Sequence, residues 1–238
     1  MDINYKLYGF FIGLTVTIMV VCDILVYKVY DIFGLKITAS GIVFSLCYLL
    51  STIITEVYGY KLGCKVVWII VFCQTIFVLI INLSSIIQID TNSISKNYHE
   101  LFSDFWRVMI GTWISVPASY FCNSLVISKL KIYFFGKFFI IRYILSSMIA
   151  QGILILTAYP ISLSSKYSSI ELVNIITTTW TYKVFIALVL LPVGVFLSDI
   201  VKRFENTDYY DLDISYNPFL AFKEENKKIK RNMFGEKK

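Results

Sequence analysis

Five ionisable side chains sit inside, or at the ends of, long apolar runs: Asp23, Glu56, Arg107, Arg142 and Lys183. A charge in such a run is costly. It is expected to face a protein interior or a watery cavity and to pair with another charge. Carboxylates accept strong charge-assisted hydrogen bonds, and ammonium and guanidinium groups donate them. The chemistry open to this set is therefore recognition of a polar solute, ion-pair gating, or both.

Glu56 closes the apolar part of the stretch Thr38–Lys65, TASGIVFSLCYLLSTIITEVYGYKLGCK. On a helix, Ser45, Tyr48, Thr52 and Glu56 fall within a stripe of roughly 80°. That pattern predicts a polar face turned inward and an apolar face turned to lipid. Position alone also fits a carboxylate that marks the membrane–water boundary.

The elements that must carry these residues follow from composition. The chain has 238 residues, 57% of them hydrophobic and 16% charged, with mean hydropathy +0.70. A soluble domain carries roughly 25% charge. Continuous apolar runs of about 20 residues span a bilayer as helices, and they lack the short alternations of a barrel. The predicted fold class is all-α, a polytopic integral membrane bundle of about six transmembrane helices. These run over Tyr8–Val29, Thr38–Val57, Val66–Ile87, Asp104–Ile127, Phe138–Ile161 and Val173–Ile200. Asp90–Ser103 reads as an exposed polar loop, and 58–65 as a turn. Residues 1–201 are expected to form the six-helix transmembrane domain, and 202–238 a charged cytosolic tail, partly ordered at best. The first run is too long for a signal core and carries Asp23, so it reads as a helix and not as a cleaved signal.

Six helices put both termini on one side. That side collects Lys6, Lys61, Lys65, Lys129, Lys131, Lys137, Lys202 and Arg203, against Lys28, Lys36, Lys96 and Lys166 on the other. The bias favours both termini in the cytoplasm of a multi-pass protein in the cell inner (plasma) membrane. Asp23, Arg107 and Lys183 then form an outer tier, with Glu56 and Arg142 at the inner edge. Each tier holds both signs, so Asp23 can pair with Lys183 or Arg107, and Glu56 with Arg142. Pairing is itself a structural explanation of all five. The functional reading is two charged gates flanking a polar cavity. Lys183 lies about 15 Å from the start of its helix, too deep to reach the interface easily.

Several functions are excluded by what is missing. No GxxxxGK[ST], HExxH or GxSxG occurs. His99 is the single histidine, so a Ser-His-Asp triad or a histidine zinc cluster is not expected. Five cysteines without a CxxC give no metal site and no disulfide framework. The net charge of +6 lies largely in loops and tail, so no nucleic-acid partner is implied. No enzyme activity, metal or cofactor is expected.

Thr55-Glu56-Val57-Tyr58-Gly59-Tyr60-Lys61 resembles the TEVYGYK signature of the vitamin-uptake/queuosine precursor transporter family. The resemblance covers most of the chain. It takes in Lys28, Gly41 and Phe44, then Arg107 with Ser119 and Asn123, and Arg142, Ser146 and Gln151. Tyr182-Lys183 with Leu191-Pro192, Tyr210-Asp211 and Asn217-Pro218-Phe219 complete it. Three positions depart from the pattern. Thr52 and Leu154 stand where Asp is usual, and Asp23 where Asn is usual. The resemblance implies import of a queuosine precursor, a 7-deazaguanine such as 7-cyano-7-deazaguanine, or queuine. It implies a stand-alone carrier, facilitated or ion-coupled. Alternatively, the chain is a substrate-binding membrane subunit for a vitamin-like molecule, working with an external ATPase module. Substrate contacts would come from Asp23, Tyr48, Glu56, Arg107, Asn123, Arg142, Gln151 and Lys183. Glu56 or Asp23 would accept the paired N–H groups of a guanine-like edge, and Tyr48 would stack on the ring. The implied partners are a small molecule and the lipid bilayer, with self-association left open.

Overall fold

The computed structural model describes residues 5–26, 28–32, 35–86, 93–103, 105–164, 167–212 and 214–223. Among the described residues, six helices are long and apolar enough to cross a membrane. They are α1 (Tyr8–Leu25), α2 (Ala39–Tyr58), α3 (Tyr60–Ile86), α5 (Phe105–Tyr133), α6 (Phe139–Leu163) and α7 (Ser169–Glu205), with the short α4 (Ser93–Phe102) between α3 and α5. The fold is the helical membrane bundle that the composition predicts.

Four local differences separate the structure from the expected elements. Between α1 and α2 the chain makes an antiparallel hairpin, β1 (Val29–Ile32) with β2 (Leu35–Thr38), in the register Val29 to Thr38 and Ile32 to Leu35. The tip at 33–34, which includes Gly34, lies outside the described residues. Where a loop is expected over Asp90–Ser103, α4 forms instead. Its apolar residues Ile94, Tyr98, Leu101 and Phe102 follow helical spacing. The α2–α3 turn shrinks to one residue, Gly59, with φ +90° and ψ 170°, a region essentially reserved for glycine. Helix α7 begins four residues earlier than predicted because Ser168 and Glu171 form a reciprocal capping box.

The larger correction concerns α2. Of its 20 residues, 17 are buried. Helices α1, α3, α5 and α7 pack around it, so it is the central post of the bundle and has no lipid-facing apolar side below its first turns. Exposed large apolar side chains fall instead on outer helices, for example Phe72, Leu79, Ile80 and Leu83 on α3 and Phe185, Val189 and Phe196 on α7. That is the surface a bilayer solvates.

The segment after α7 is also packed. Glu205 accepts from the Lys6 and Leu7 backbone N–H groups at the entry to α1, at 3.1 and 2.6 Å, and from the Tyr58 hydroxyl at 3.0 Å. The start of α1 and the end of α7 therefore meet at one end of the bundle. From there the chain crosses the ends of α2, α3 and α5 to a 3-10 turn at Pro218–Leu220, where the Pro218 carbonyl accepts from the Trp68 indole at 3.1 Å. The described part of the tail is thus an integral layer of the fold, not a loose extension.

Candidate functional site

Helix α2 carries a polar site near each of its ends. Ser40, Phe44, Tyr48, Thr52 and Glu56 follow at four-residue steps, which places Ser40 and Glu56 about 24 Å apart along the axis. One site surrounds Glu56 and the other lies beside Ser40 and Phe44.

Glu56 is fully buried and is the hub of an ion cluster. Arg142 on α6 grips both carboxylate oxygens, Nη1 on Oε2 and Nη2 on Oε1. Lys202 Nζ on α7 lies 2.7 Å from Oε1, and Lys131 Nζ on α5 lies 3.7 Å from it. Asp208 joins at 2.5 Å from Lys131 and 3.0 Å from Lys202. Backbone carbonyls fill the remaining donors. Lys131 donates to Glu56 and Tyr209 at 2.6 and 2.8 Å, and Arg142 donates to Lys137 and Gly136 at 3.1 and 3.0 Å. Burial pushes the Asp208 carboxyl up, but the neighbouring Lys131 and Lys202 ammoniums outweigh it and hold the group below its ordinary value. The cluster ties four helices and the tail together at one end of the bundle.

Five residues of the TEVYGYK stretch acquire a structural reason. Thr55 donates to Ser124 on α5 at 2.9 Å, Glu56 anchors the ion cluster, and Tyr58 reaches Glu205. Gly59 leaves room where a Cβ would run into the Tyr209 ring and the Asp211 carboxylate. The Tyr60 N–H then donates to both Asp211 oxygens at 3.0 and 2.9 Å, so an acid caps the N-terminus of α3. Burial raises the Asp211 carboxyl, against the Ser128 hydroxyl at 2.5 Å and the Tyr60 N–H.

The second site is a cavity of about 50 Å³ among α1, α2, α3, α5, α6 and α7. Its polar wall is Asp23, Ser40, Gln74, Thr112, Ser115 and Lys183. Gln74 donates to Asp23 at 2.8 Å. Lys183 is 1% exposed, with Nζ 4.7 Å from the centre of the Phe44 ring. The outer-tier pairing read from the sequence does not form. Asp23 has no ion pair within 4.0 Å of either Lys183 or Arg107. Asp23 and Lys183 sit on α1 and α7 with a hollow between them, and the distance leaves both charges facing it. Tyr159 roofs the hollow, bonded to Thr38 at 2.9 Å, and the Tyr182 hydroxyl donates to the Thr38 carbonyl at 2.8 Å. Gly41 lets that hydroxyl lie against α2, where a Cβ would collide with it.

Between the two sites lie Tyr48, Asn123 and Gln151. Tyr48 stacks on Tyr120, centroids 4.9 Å apart, and donates to the Ala150 carbonyl at 3.3 Å. It is a packed core residue and does not line the cavity. Asn123 donates to Ser51 and Thr52 at 3.3 and 3.2 Å, with its Oδ1 unpartnered. Gln151 is fully buried, and neither amide atom has a partner among the described residues.

The eight candidate residues therefore separate into groups. Asp23 and Lys183 share the cavity, Glu56 and Arg142 share the ion cluster, and Tyr48, Asn123 and Gln151 lie between them. Arg107 lines neither site and rests against the Trp106 ring. Leu154 lines the same cavity as Asp23. Sequence reasoning missed Lys131, Lys202, Asp208 and Gln74 as partners. Lys131 had a signal: it lies eight residues beyond Asn123, on the same buried stripe of α5.

A family model described as "Putative vitamin uptake transporter" matches residues 38–197, two thirds of the chain; Asp23, Lys202 and Asp208 lie outside the match. No curated protein and no solved structure matches.

Proposed function

The chain belongs to the vitamin uptake transporter family, and from that premise we propose that it imports a queuosine precursor, a 7-deazaguanine such as 7-cyano-7-deazaguanine or queuine. The reading is of a stand-alone carrier, facilitated or ion-coupled, in the inner membrane with both termini cytoplasmic. The observation that carries it is the cavity in which Asp23 and Lys183 face each other beside Phe44 and Gln74. A guanine-like edge offers adjacent N–H donors to a carboxylate and a ring carbonyl to an ammonium, both charge-assisted. Phe44 offers an aromatic face. Asp23, not the sequestered Glu56, is then the acid that meets substrate.

The volume supports a gated carrier. At about 50 Å³ the cavity has room for a few waters, and a ligand pocket is typically about 300–1,000 Å³. Substrate enters when the walls part. The ion cluster around Glu56 closes the cytoplasmic end in this reading, and the Thr38–Tyr159–Tyr182 contacts close the other. Alternating release of the two is the step that moves substrate, with the site held between helices.

The test is rescue of a bacterium that makes no queuosine precursor and lacks its own carrier. The nitrile, the aminomethyl compound and queuine are fed separately, and queuosine in tRNA is read by its retarded migration on a boronate gel. Rescue by any of them supports the reading. Failure of all three, with the protein present in the membrane, overturns it.

A further inference from the structure

The cavity wall carries one acid and one base. Among the described residues that line it, Asp23 and Lys183 are the ionisable pair, and the Cys22 thiol and Tyr159 phenol add no charge. Arg107 does not line it. The sum of the two charges is zero, and it stays zero if a proton passes from the ammonium to the carboxylate. Neither group is neutralised by direct contact. Lys183 makes no hydrogen bond or ion pair among the described residues, only the approach to Phe44, and Asp23 takes one bond from Gln74. A ligand filling the hollow meets both groups. It must give Lys183 an acceptor and Asp23 a donor. Any net charge it brings is left uncompensated beside two buried side chains, where lone charges are costly.

We propose that Asp23 and Lys183 together select substrate by net charge, so that the site takes a neutral ring with a donor edge and an acceptor edge and rejects close analogues that carry a charge. The proposal rests on the deazapurine reading above and narrows it to the neutral nitrile, because the aminomethyl compound and queuine carry amines that are protonated at neutral pH.

Three compounds share the ring and differ at one position: 7-carboxy-, 7-cyano- and 7-aminomethyl-7-deazaguanine, which are anionic, neutral and cationic at neutral pH. Binding of each is measured by the shift of the thermal unfolding midpoint of the purified full chain in detergent, for wild type, Lys183→Gln and Asp23→Asn. Wild type binds the nitrile tightest, by about tenfold or more over either charged compound. Lys183→Gln leaves the acid alone and moves the preference to the aminomethyl compound. Asp23→Asn leaves the base alone and moves it to the carboxylate. A stability effect alone cannot invert an order of preference, so the inversion isolates the charge rule. The same order in all three proteins, or equal binding of the three compounds to wild type, overturns the rule and leaves the deazapurine reading standing. Binding of none of them by any of the three proteins overturns both. Should Lys183→Gln fail to fold, the Asp23→Asn arm carries the same test with the opposite sign.

Discussion

The Arg142 guanidinium on α6 covers both carboxylate oxygens of Glu56 on α2, while its Nε holds the carbonyl of Lys137 in the turn before its own helix. One side chain therefore fixes the α5–α6 turn against the central helix. Lys131 and Lys202 bring α5 and α7 to the same carboxylate. With Asp208 added, each cation has an anionic neighbour, which is how a buried cluster of this size avoids an orphaned charge. An acid that must hold three cations is poorly placed to bind substrate as well.

Glu56→Gln should act on the fold before it acts on recognition. It removes the central anion and leaves Arg142, Lys131 and Lys202 with Asp208 alone. Breaking a buried pair by removing one partner costs about 3–5 kcal/mol. The expected result is a marked fall in thermal stability in detergent, with ligand preference among the folded molecules unchanged. A variant of wild-type stability would show that the cluster does not lock this end.

The two tail acids predict opposite limbs of a stability–pH curve. The folded value of Asp208 lies below its ordinary 3.8. Between the two, the unfolded chain binds more protons, so stability rises with pH. The contribution is complete above about 3.8 and is lost as pH falls through the folded value. Asp211 is raised instead. There the folded chain binds more protons, and stability falls as pH climbs from the ordinary value through the folded one. Unfolding midpoints against pH should therefore lose the acid limb in Asp208→Asn and the opposing limb in Asp211→Asn.

Much of this architecture was legible in the sequence. The six spans and the Glu56–Arg142 pair follow from run length, sign and position. The lipid-facing side of α2 did not survive. Leu49, Leu50, Ile53 and Ile54 are buried against neighbouring helices, and inside a bilayer a helix surface offers the same apolar contact as a lipid tail. Hydropathy cannot tell the two apart. Asp208 and Asp211 were out of reach for another reason. Their partners Lys131 and Tyr60 lie 77 and 151 residues away, and no local pattern encodes such contacts. The Asp23–Lys183 pairing failed on distance alone: the signs matched, but the helices hold them across a hollow.

Gly59→Ala should be the most damaging small change in the TEVYGYK stretch. It forces a side chain into φ +90° and drives a methyl against Tyr209 and Asp211. The backbone term alone is of order 1–3 kcal/mol. The collision adds to it by displacing the acid that caps α3. Protease sensitivity of the segment after α7 should rise in this variant, because the Tyr60–Asp211 contact holds that segment to the bundle. Unaltered sensitivity and unaltered unfolding would mean that the segment is held by its other contacts.

Gln151 offers a separation of stability from transport. Its amide is fully buried on α6 with neither atom bonded, and a buried polar group without a partner costs about 1–3 kcal/mol. Leucine is close in volume and has nothing to satisfy. Gln151→Leu should therefore raise the unfolding midpoint. If the amide is kept for a substrate passing between the cavity and the Glu56 end, uptake per folded molecule should fall in the same variant. A gain in stability with uptake intact would assign Gln151 no part in the path, and a loss of stability would mean that its amide is bonded in the membrane. Only the rise in one quantity with the fall in the other fits a polar group held in reserve along the route.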